Sequence, residues 1–201
     1  MKKIVLIASL FLASCAQKAI YLNPAEFGTI QKLDTLTKAK PGSSIAMIGF
    51  TDVRSDQTKI GTAKSGLGNA DTPIYLYNGV EKYVTQRFSD GLQKRNIQVT
   101  DTAPFAIKGT IKKLWVTEIA PGFSPQSSQC EVELSISLVP KDPKLGTYWW
   151  AGTTSAQGTR NVFNTTSSDG PVLDACVNEA VEKFLHNEKI QKALEIELLP
   201  N

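Results

Sequence analysis

The feature that most constrains the fold of this 201-residue chain is a strict two-residue alternation between positions 130 and 139. The side chains of a strand project alternately to its two faces, so one face here is apolar and the other is polar. The pattern predicts a half-buried antiparallel strand in a sheet that has one covered face and one solvated face. The apolar positions are Cys130, Val132, Leu134, Ile136 and Leu138, and the polar positions are Glu131, Glu133, Ser135 and Ser137.

Two helical patterns can cover that apolar face. The first follows Asn78, a capping residue, and has Glu81 at the third helical position. The second opens at Asp169-Gly170-Pro171, because proline is accepted in the first turn of a helix. Apolar residues recur every three or four positions in both segments, which indicates amphipathic helices. These residues are Val80, Val84, Phe88 and Leu92 in the first helix, and Leu173, Cys176, Val177, Ala180, Val181 and Phe184 in the second.

The other elements are predicted from apolar runs and turn residues. A near-continuous apolar run predicts a central strand over Ser44 to Val53. Alternation predicts a long strand over Phe105 to Ile119, and an aromatic, threonine-rich strand over Thr147 to Gln157 completes a three-stranded meander. Residues 54–73 are rich in Gly, Ser, Thr and Asp, so they predict a long loop, with a small hairpin that includes Ile74 to Tyr77.

The fold class follows from the order strand, helix, strand, meander and helix. One sheet with two helices on a single face satisfies this order. We therefore predict an α+β two-layer sandwich, with one mainly antiparallel sheet and two principal helices packed on one face. The composition, 41% hydrophobic and 20% charged, fits one globular domain with an appendage.

The amino terminus has the pattern of an export signal. A basic start at Lys2 and Lys3 precedes an apolar segment from Ile4 to Leu12, which is less than half of the ~20 residues that a membrane-spanning helix needs. The segment ends in the sequence LASC, with the cysteine at position 15. This ending resembles the bacterial lipobox, in which the cysteine is lipidated and becomes the new amino terminus. The alternative is an ordinary signal peptide with a chance cysteine.

Lipidation of Cys15 would anchor the protein to a membrane. Ala16 follows the cysteine, at the position where Asp is the usual signal for retention in the inner membrane. The pattern therefore favours the outer membrane, with the protein facing the periplasm. We predict a signal peptide at 1–14, a lipid anchor and tether at 15–43, and a single α+β periplasmic domain at 44–201.

The charge balance argues against a polyanionic partner. Removal of the signal peptide leaves 20 of the 22 Lys and Arg residues against 19 Asp and Glu residues, a formal charge of +1. The sequence contains no run of five or more like charges. Nucleic-acid binding is therefore not predicted.

Two cysteines remain after lipidation, Cys130 and Cys176. An even number fits a compartment that is usually oxidising. Both cysteines fall on predicted inward faces, one on the alternating strand and one on the second helix. A disulfide between them and a pair of packed thiols are both open on the sequence alone.

The sequence lacks the motifs of catalysis and cofactor binding. His186, the single histidine, lies at a predicted helix end, and no hydrolase, zinc-protease or Walker motif occurs. The glycine-rich segment 65–69 lacks the strand-to-helix context of a phosphate loop, so it predicts a turn. Asp52 and Asp56 offer only two carboxylates to a metal. We therefore predict a protein that is not an enzyme, with no catalytic residue, no cofactor and no metal site.

Two places are candidates for partner binding. Asp52 and Arg54, in the sequence TDVRSDQTKIG, lie on the same face of a strand end, which predicts a local ion pair that closes the following loop. Recognition of a partner by these two residues is the alternative. Phe123 lies at a loop tip between two strands, either as an exposed anchor or folded back on its own hairpin. One of Trp149 and Trp150 is expected to face outward.

The sequence resembles the YajG-like family of bacterial outer-membrane lipoproteins. The likeness lies in CAQKAIYLNP at the lipidation site, in GFTDVRSDQTKIG after the first central strand, in GLQKRNIQV at the end of the first helix, and in the final helix from Pro171. The resemblance implies an outer-membrane location and the α+β fold. It implies no reaction and supplies no catalytic residues.

These observations lead to two functional hypotheses. The first is a non-enzymatic outer-membrane lipoprotein that faces the periplasm and serves as an accessory or binding module of a cell-envelope complex, with an envelope protein as its partner. The alternative is a carrier or chaperone that binds a lipid or another amphiphile in a groove between the helices and the sheet.

Overall fold

The computed structural model describes residues 19–27, 38–39, 42–65, 71–120, 126–142, 144, 150–162, 169–193 and 198–199. The strands are β1 Ile20–Leu22, β2 Lys38–Ala39, β3 Ser44–Asp52, β4 Gly61–Ser65, β5 Thr72–Leu76, β6 Gln98–Val99, β7 Phe105–Ala120, β8 Gln126–Pro140, β9 Trp150–Val162 and β10 Leu198–Leu199. The helices are α1 Val80–Gln93, α2 Asp169–Leu185 and α3 Glu188–Ala193, and a 3-10 turn covers Pro24–Glu26.

The 16-residue strand β7 is the centre of the main sheet. β8 pairs with β7 in antiparallel orientation along one edge, and β9 pairs in the same way with β8. The other edge of β7 is shared by two parallel strands, β3 beside its first half and β4 beside its second half. β6 pairs with β3, and β5 and then β1 continue the sheet beyond β4. A separate pair joins β2 to β10.

The α+β class, the two main helices and the meander of β7, β8 and β9 are confirmed. The prediction of a mainly antiparallel sheet is wrong, because four of the seven pairings described in this sheet are parallel. The reason is that the chain crosses through α1 between β3 and β7, and such a crossover returns the chain in the parallel direction. The segment predicted as a loop also contains β4, which pairs with β7 and forms a hairpin with β5.

The two main helices pack beside each other on one face of the sheet. Gly91 of α1 approaches Val181 of α2 so closely that a Cβ atom at Gly91 would lie 3.0 Å from a valine methyl group. The rings of Phe88 and Phe184 meet edge to face, with their centroids 5.5 Å apart. The strict alternation of β8 is confirmed, because each of its five apolar positions is almost fully buried against these helices. Within the described residues, no helix combines the length and apolar character needed to cross a bilayer.

Buried polar contacts fix the two helices to each other. The Tyr83 hydroxyl of α1 donates to the Asp174 carboxylate of α2 at 2.6 Å, and Arg87 Nε lies 3.1 Å from the same carboxylate. Arg95, which is almost fully buried, pairs with Glu182 at 2.6 Å. Because these groups are partnered, the layer between the helices can bury charge without leaving it unsatisfied.

Residues 20–27 of the amino-terminal segment are attached to the domain. β1 pairs in parallel with β5, and the Tyr77 N–H donates to the Leu22 carbonyl at 3.0 Å. The Phe27 ring packs against Gly170, where a Cβ atom would lie 2.3 Å from the ring, and meets the Tyr83 ring at 6.0 Å. Two described segments of the predicted tether, β1 and β2, are thus parts of sheets. The predicted signal peptide lies outside the described residues.

The structure joins Cys130 of β8 and Cys176 of α2 as a disulfide, with their Cα atoms 6.4 Å apart. Both residues are buried in the layer between the sheet and the helices. A Cα separation of this size is within the range of protein disulfides. The geometry therefore supports the bonded alternative, which thiol chemistry can test.

We expect reduction to lower stability by about 3 kcal/mol, because the bond closes a long loop of the unfolded chain. Urea denaturation with and without reductant measures this difference, and the Cys130→Ala/Cys176→Ala variant should be insensitive to reductant. Two free thiols in the untreated mature protein, counted by mass spectrometry, would contradict the disulfide.

Candidate functional site

Arg54 is the most buried charged residue of the stretch between β3 and β4, with 7% of its surface exposed. Its guanidinium forms a bidentate pair with Asp52, because Nε lies 2.9 Å from Oδ1 and Nη2 lies 2.9 Å from Oδ2. Parallel charge-assisted hydrogen bonds of this kind are the strong form of an ion pair. The local pair predicted at this strand end is therefore present.

Arg54 also bonds the backbone at the point where the edge of β7 changes partner. β3 leaves this edge, and β4 joins it several residues further along. Between the two strands, Arg54 Nη1 donates to the Lys59 carbonyl at 2.9 Å and to the Leu114 carbonyl of β7 at 3.1 Å. A buried backbone carbonyl needs a hydrogen-bond donor. Arg54 thus supplies bonds that a continuous neighbouring strand would otherwise provide.

The neighbouring polar residues also have partners. The Asp52 N–H donates to Glu81 Oε1 of α1 at 2.7 Å, and Gln57 Nε2 donates to the Asp52 carbonyl at 2.8 Å. Asp56 accepts hydrogen bonds from the Thr58 hydroxyl and N–H, which lower the pKa of Asp56. Within the described part of the chain, no group of three or more His, Cys, Asp and Glu side chains could hold a metal ion. The stretch is arranged as a structural clasp.

A buried pair of carboxyl groups, which the sequence patterns did not reveal, lies at the start of α2. Asp169 is fully buried, and Glu118 of β7 is 7% exposed. The Ser128 hydroxyl of β8 donates to Asp169 Oδ1 at 2.6 Å, whereas Asp169 Oδ2 has no hydrogen-bond partner among the described residues. Burial, together with the nearby Asp169 carboxylate, raises the pKa of Glu118 to about 7. A protonated Glu118 can donate a hydrogen bond to the Asp169 carboxylate.

The pair was missed because Glu118 and Asp169 are 51 positions apart in the sequence. In the sequence, Asp169 indicates only a helix start, and Glu118 is only one residue of a predicted strand. Ser128 is the register partner of Glu118 on one side and of Arg160 on the other. Only the pairing of three strands and the packing of α2 bring these residues together.

Three tyrosines form an exposed aromatic cluster, called the tyrosine patch, at the β1 end of the sheet. Tyr21 and Tyr75 are register partners, and their ring centroids are 5.1 Å apart. Tyr77 lies 5.4 Å from Tyr21. The neighbouring side chains Leu22 and Ile74 are buried in the core, so the tyrosines project from the opposite face of the sheet. Tyr21 is 56% exposed and Tyr77 is 51% exposed.

Two surface grooves border α1. One, of about 290 Å³, lies between α1 and β3 and includes Thr85 and Lys108 in its lining. Thr85 Oγ1 accepts from the Phe50 N–H at 3.0 Å, so α1 side chains occupy part of the free edge of β3. The other groove, of about 230 Å³, lies beside Tyr77 and has Lys82 in its lining. Both grooves are open to the surface and smaller than most small-molecule pockets.

Several residues singled out in the sequence lie outside the described residues. These are Cys15, Phe123 and Trp149, so their predicted roles stay predictions. His186 is described: it lies at the end of α2 as expected, with its ring Nδ1 2.9 Å from the Glu182 carbonyl.

Comparison with known proteins shows a shared fold and no sequence family. No protein-family model and no curated protein matches the sequence. The fold is similar to that of a protein of the DUF330 family from Xanthomonas campestris, with a TM-score of 0.54 and 7% identity over 88% of this chain and 98% of that chain.

Two more distant structural matches come from other bacteria. A PelC dodecamer from Paraburkholderia phytofirmans matches with a TM-score of 0.38 and 11% identity, over 75% of this chain and 92% of that chain. A minor lipoprotein from Acinetobacter baumannii matches with a TM-score of 0.33 and 6% identity, over 79% of this chain and 97% of that chain. The match to the Xanthomonas campestris protein shows that this α+β fold is shared, and it assigns no function.

We expect Arg54→Met to lower the free energy of unfolding by about 3 kcal/mol, because it leaves Asp52 and the Leu114 carbonyl without their donor. Charge reversal in Arg54→Glu should abolish folding. Urea denaturation measures both effects, and Asp56→Asn is the matched control in the same loop, expected to leave the midpoint unchanged. Intact folding of Arg54→Glu, with loss of partner binding, would instead support a recognition role.

The Glu118 carboxyl should make stability depend on pH. Its pKa is higher in the folded protein than the ordinary 4.5, so its stabilising contribution is complete below pH 4.5 and is lost as pH rises through about 7. We expect Glu118→Gln to be more stable than the natural protein at pH 8 by about 1–3 kcal/mol, with little difference at pH 5. Thermal unfolding across this pH range measures the difference, and Glu179→Gln on the surface of α2 is the control. A constant difference at all pH values would contradict the assignment.

Proposed function

We propose that this chain is a lipid-anchored, non-enzymatic binding module of the bacterial cell envelope, of the YajG-like kind. The observation that supports it best is the lipobox-like sequence ending at Cys15, followed only five residues later by β1, which is paired into the sheet. Two acyl chains on one cysteine would anchor the domain firmly. The Ala that follows Cys15 supports the outer membrane, with the domain on the periplasmic face.

The packing of the helix–sheet layer favours a binding module over a carrier. A carrier would need an apolar cavity between the helices and the sheet. Phe50, Phe88 and Phe184 occupy this layer in mutual contact, with successive ring centroids 5.2 and 5.5 Å apart. The side chains around them are nearly fully buried. The part of this core that the structure describes is filled by side chains, which favours a binding module over a carrier.

The free edge of β9 is suited to the partner. β9 is 13 residues long and pairs with β8 only, among the strands that the structure describes. An unpaired strand edge presents backbone donors and acceptors to which an extended segment of another protein can add. We assign the partner to this edge, and Phe123, which lies between β7 and β8 in the sequence, stays a predicted contact residue.

The location is tested by changing the lipobox. We expect Cys15→Ala to release the protein from the membrane fraction, and Ala16→Asp to move it from the outer to the inner membrane on a density gradient. Mass spectrometry of the natural protein should show acyl chains on Cys15. A protein that stays in the membrane as Cys15→Ala, or that carries no acyl chain, would contradict the anchor.

The binding role is tested in the same cells. A photo-reactive residue placed at Thr154 in β9 should capture the same envelope protein in repeated experiments, whereas one placed at the exposed Lys192 of α3 should not. Recovery of the anchored protein as a clean monomer from both positions would contradict a binding module. A lipid retained by the purified protein in native mass spectrometry would favour the carrier.

A further inference from the structure

We propose that the tyrosine patch lies against the membrane surface and holds the domain in one orientation on the bilayer; this proposal rests on the proposed lipid anchor at Cys15. The patch consists of Tyr21, Tyr75 and Tyr77. Its position relative to the anchor, its chemistry and its rigidity all support contact with a membrane surface.

The chain between the anchor and the patch is short. Only residues 16–19 separate Cys15 from β1, and five peptide units span at most about 18 Å when fully extended. A domain of about 160 residues is roughly 40 Å across. The connection is therefore shorter than the domain itself, so the end of the sheet that carries Tyr21 must stay close to the lipid headgroups.

The strand β1, which carries Tyr21 of the patch, is fixed to the domain. β1 is in register with β5 over its three residues, and Phe27 anchors the following segment by packing against Gly170 and Tyr83. The amino-terminal strand therefore cannot act as a longer tether without losing this packing. Because the strand is fixed, the short connection restricts the orientation of the whole domain.

The exposed side chains of the patch have the chemistry of a membrane interface. A tyrosine ring has an apolar body and a polar hydroxyl, and tyrosines are enriched at the level of lipid headgroups. The Tyr21 ring contacts the rings of both Tyr75 and Tyr77, so these contacts already restrict the side chains and reduce the entropy lost on binding. Lys82, on the exposed surface of α1, lines the groove beside Tyr77 and offers a positive charge to anionic headgroups.

Photo-cross-linking of the reconstituted protein tests the orientation. The lipidated full chain, purified from membranes, is placed in vesicles of phosphatidylethanolamine and phosphatidylglycerol at three to one. A benzophenone amino acid replaces Tyr77 in one variant and Lys183, on the outer surface of α2, in the other. We expect roughly ten-fold more lipid adduct from position 77, because Lys183 lies about 20 Å further along α2 than Gly170, the α2 residue that contacts Phe27.

The contribution of the rings is tested separately. Adding Tyr21→Ser to the position 77 variant should lower its lipid adduct several-fold, and circular dichroism confirms that this exposed substitution leaves the fold intact. Equal lipid adducts at positions 77 and 183 would overturn the proposal. Cross-links from position 77 to a second copy of the chain, in place of lipid, would overturn it as well.

Failure of the anchor itself gives a different result. If Cys15 carries no acyl chain, the protein does not float with the vesicles, and its mass lacks the lipid. In that case the proposed function and the orientation both fail. A protein that is acylated and floats, but shows no preference between the two positions, overturns only the orientation.

Discussion

The architecture depends on one buried side chain at a break in the sheet. β8 lies along one edge of β7, and the other edge is longer than either β3 or β4. These two strands therefore share that edge end to end. Where one stops and the other begins, Arg54 bridges the Asp52 carboxylate and the carbonyls of Lys59 and Leu114. The guanidinium can do this because it has several donors in one plane. A shorter or uncharged side chain would leave backbone oxygens buried without donors.

Most of the buried polar side chains that the structure describes are likewise engaged in structural contacts. Tyr83, Arg87 and Asp174 are used to join the two helices, and Arg95 is used by Glu182. The pair formed by Glu118 and Asp169 is the exception, because one oxygen of Asp169 lacks a partner among the described residues. Burial beside Asp169 raises the pKa of the Glu118 carboxyl, so this pair is the group from which we expect a pH-dependent contribution to stability. Two surface features of the described residues, the free edge of β9 and the tyrosine patch, are suited to contact with a partner or a membrane.

Sequence reasoning worked where a local pattern has one structural solution. The alternation of β8 predicted its buried face residue by residue, and the helical stripes predicted the sides of α1 and α2 that meet the sheet. The ion pair of Asp52 and Arg54 followed from their two-residue spacing. The direction of β3 relative to β7 could not be predicted in the same way. A continuous apolar run fits a parallel or an antiparallel neighbour, and only the crossover through α1 decides between them. The strand β4 was missed because its Gly, Thr and Ser residues carry a turn-like composition.

The sequence by itself determined the class of fold, the inward faces of its main elements, the local clasp and the prediction of a lipid anchor. These depend on periodicity and on contacts between residues a few positions apart. The tertiary structure alone decided the parallel pairing of β3 and β4 with one strand, the meeting of Glu118 with Asp169, and the proximity of Cys130 to Cys176. It also decided that β1, at the start of the predicted tether, pairs with β5 beside the tyrosine patch. Each of these brings together residues far apart in the chain, and no local pattern encodes such distances.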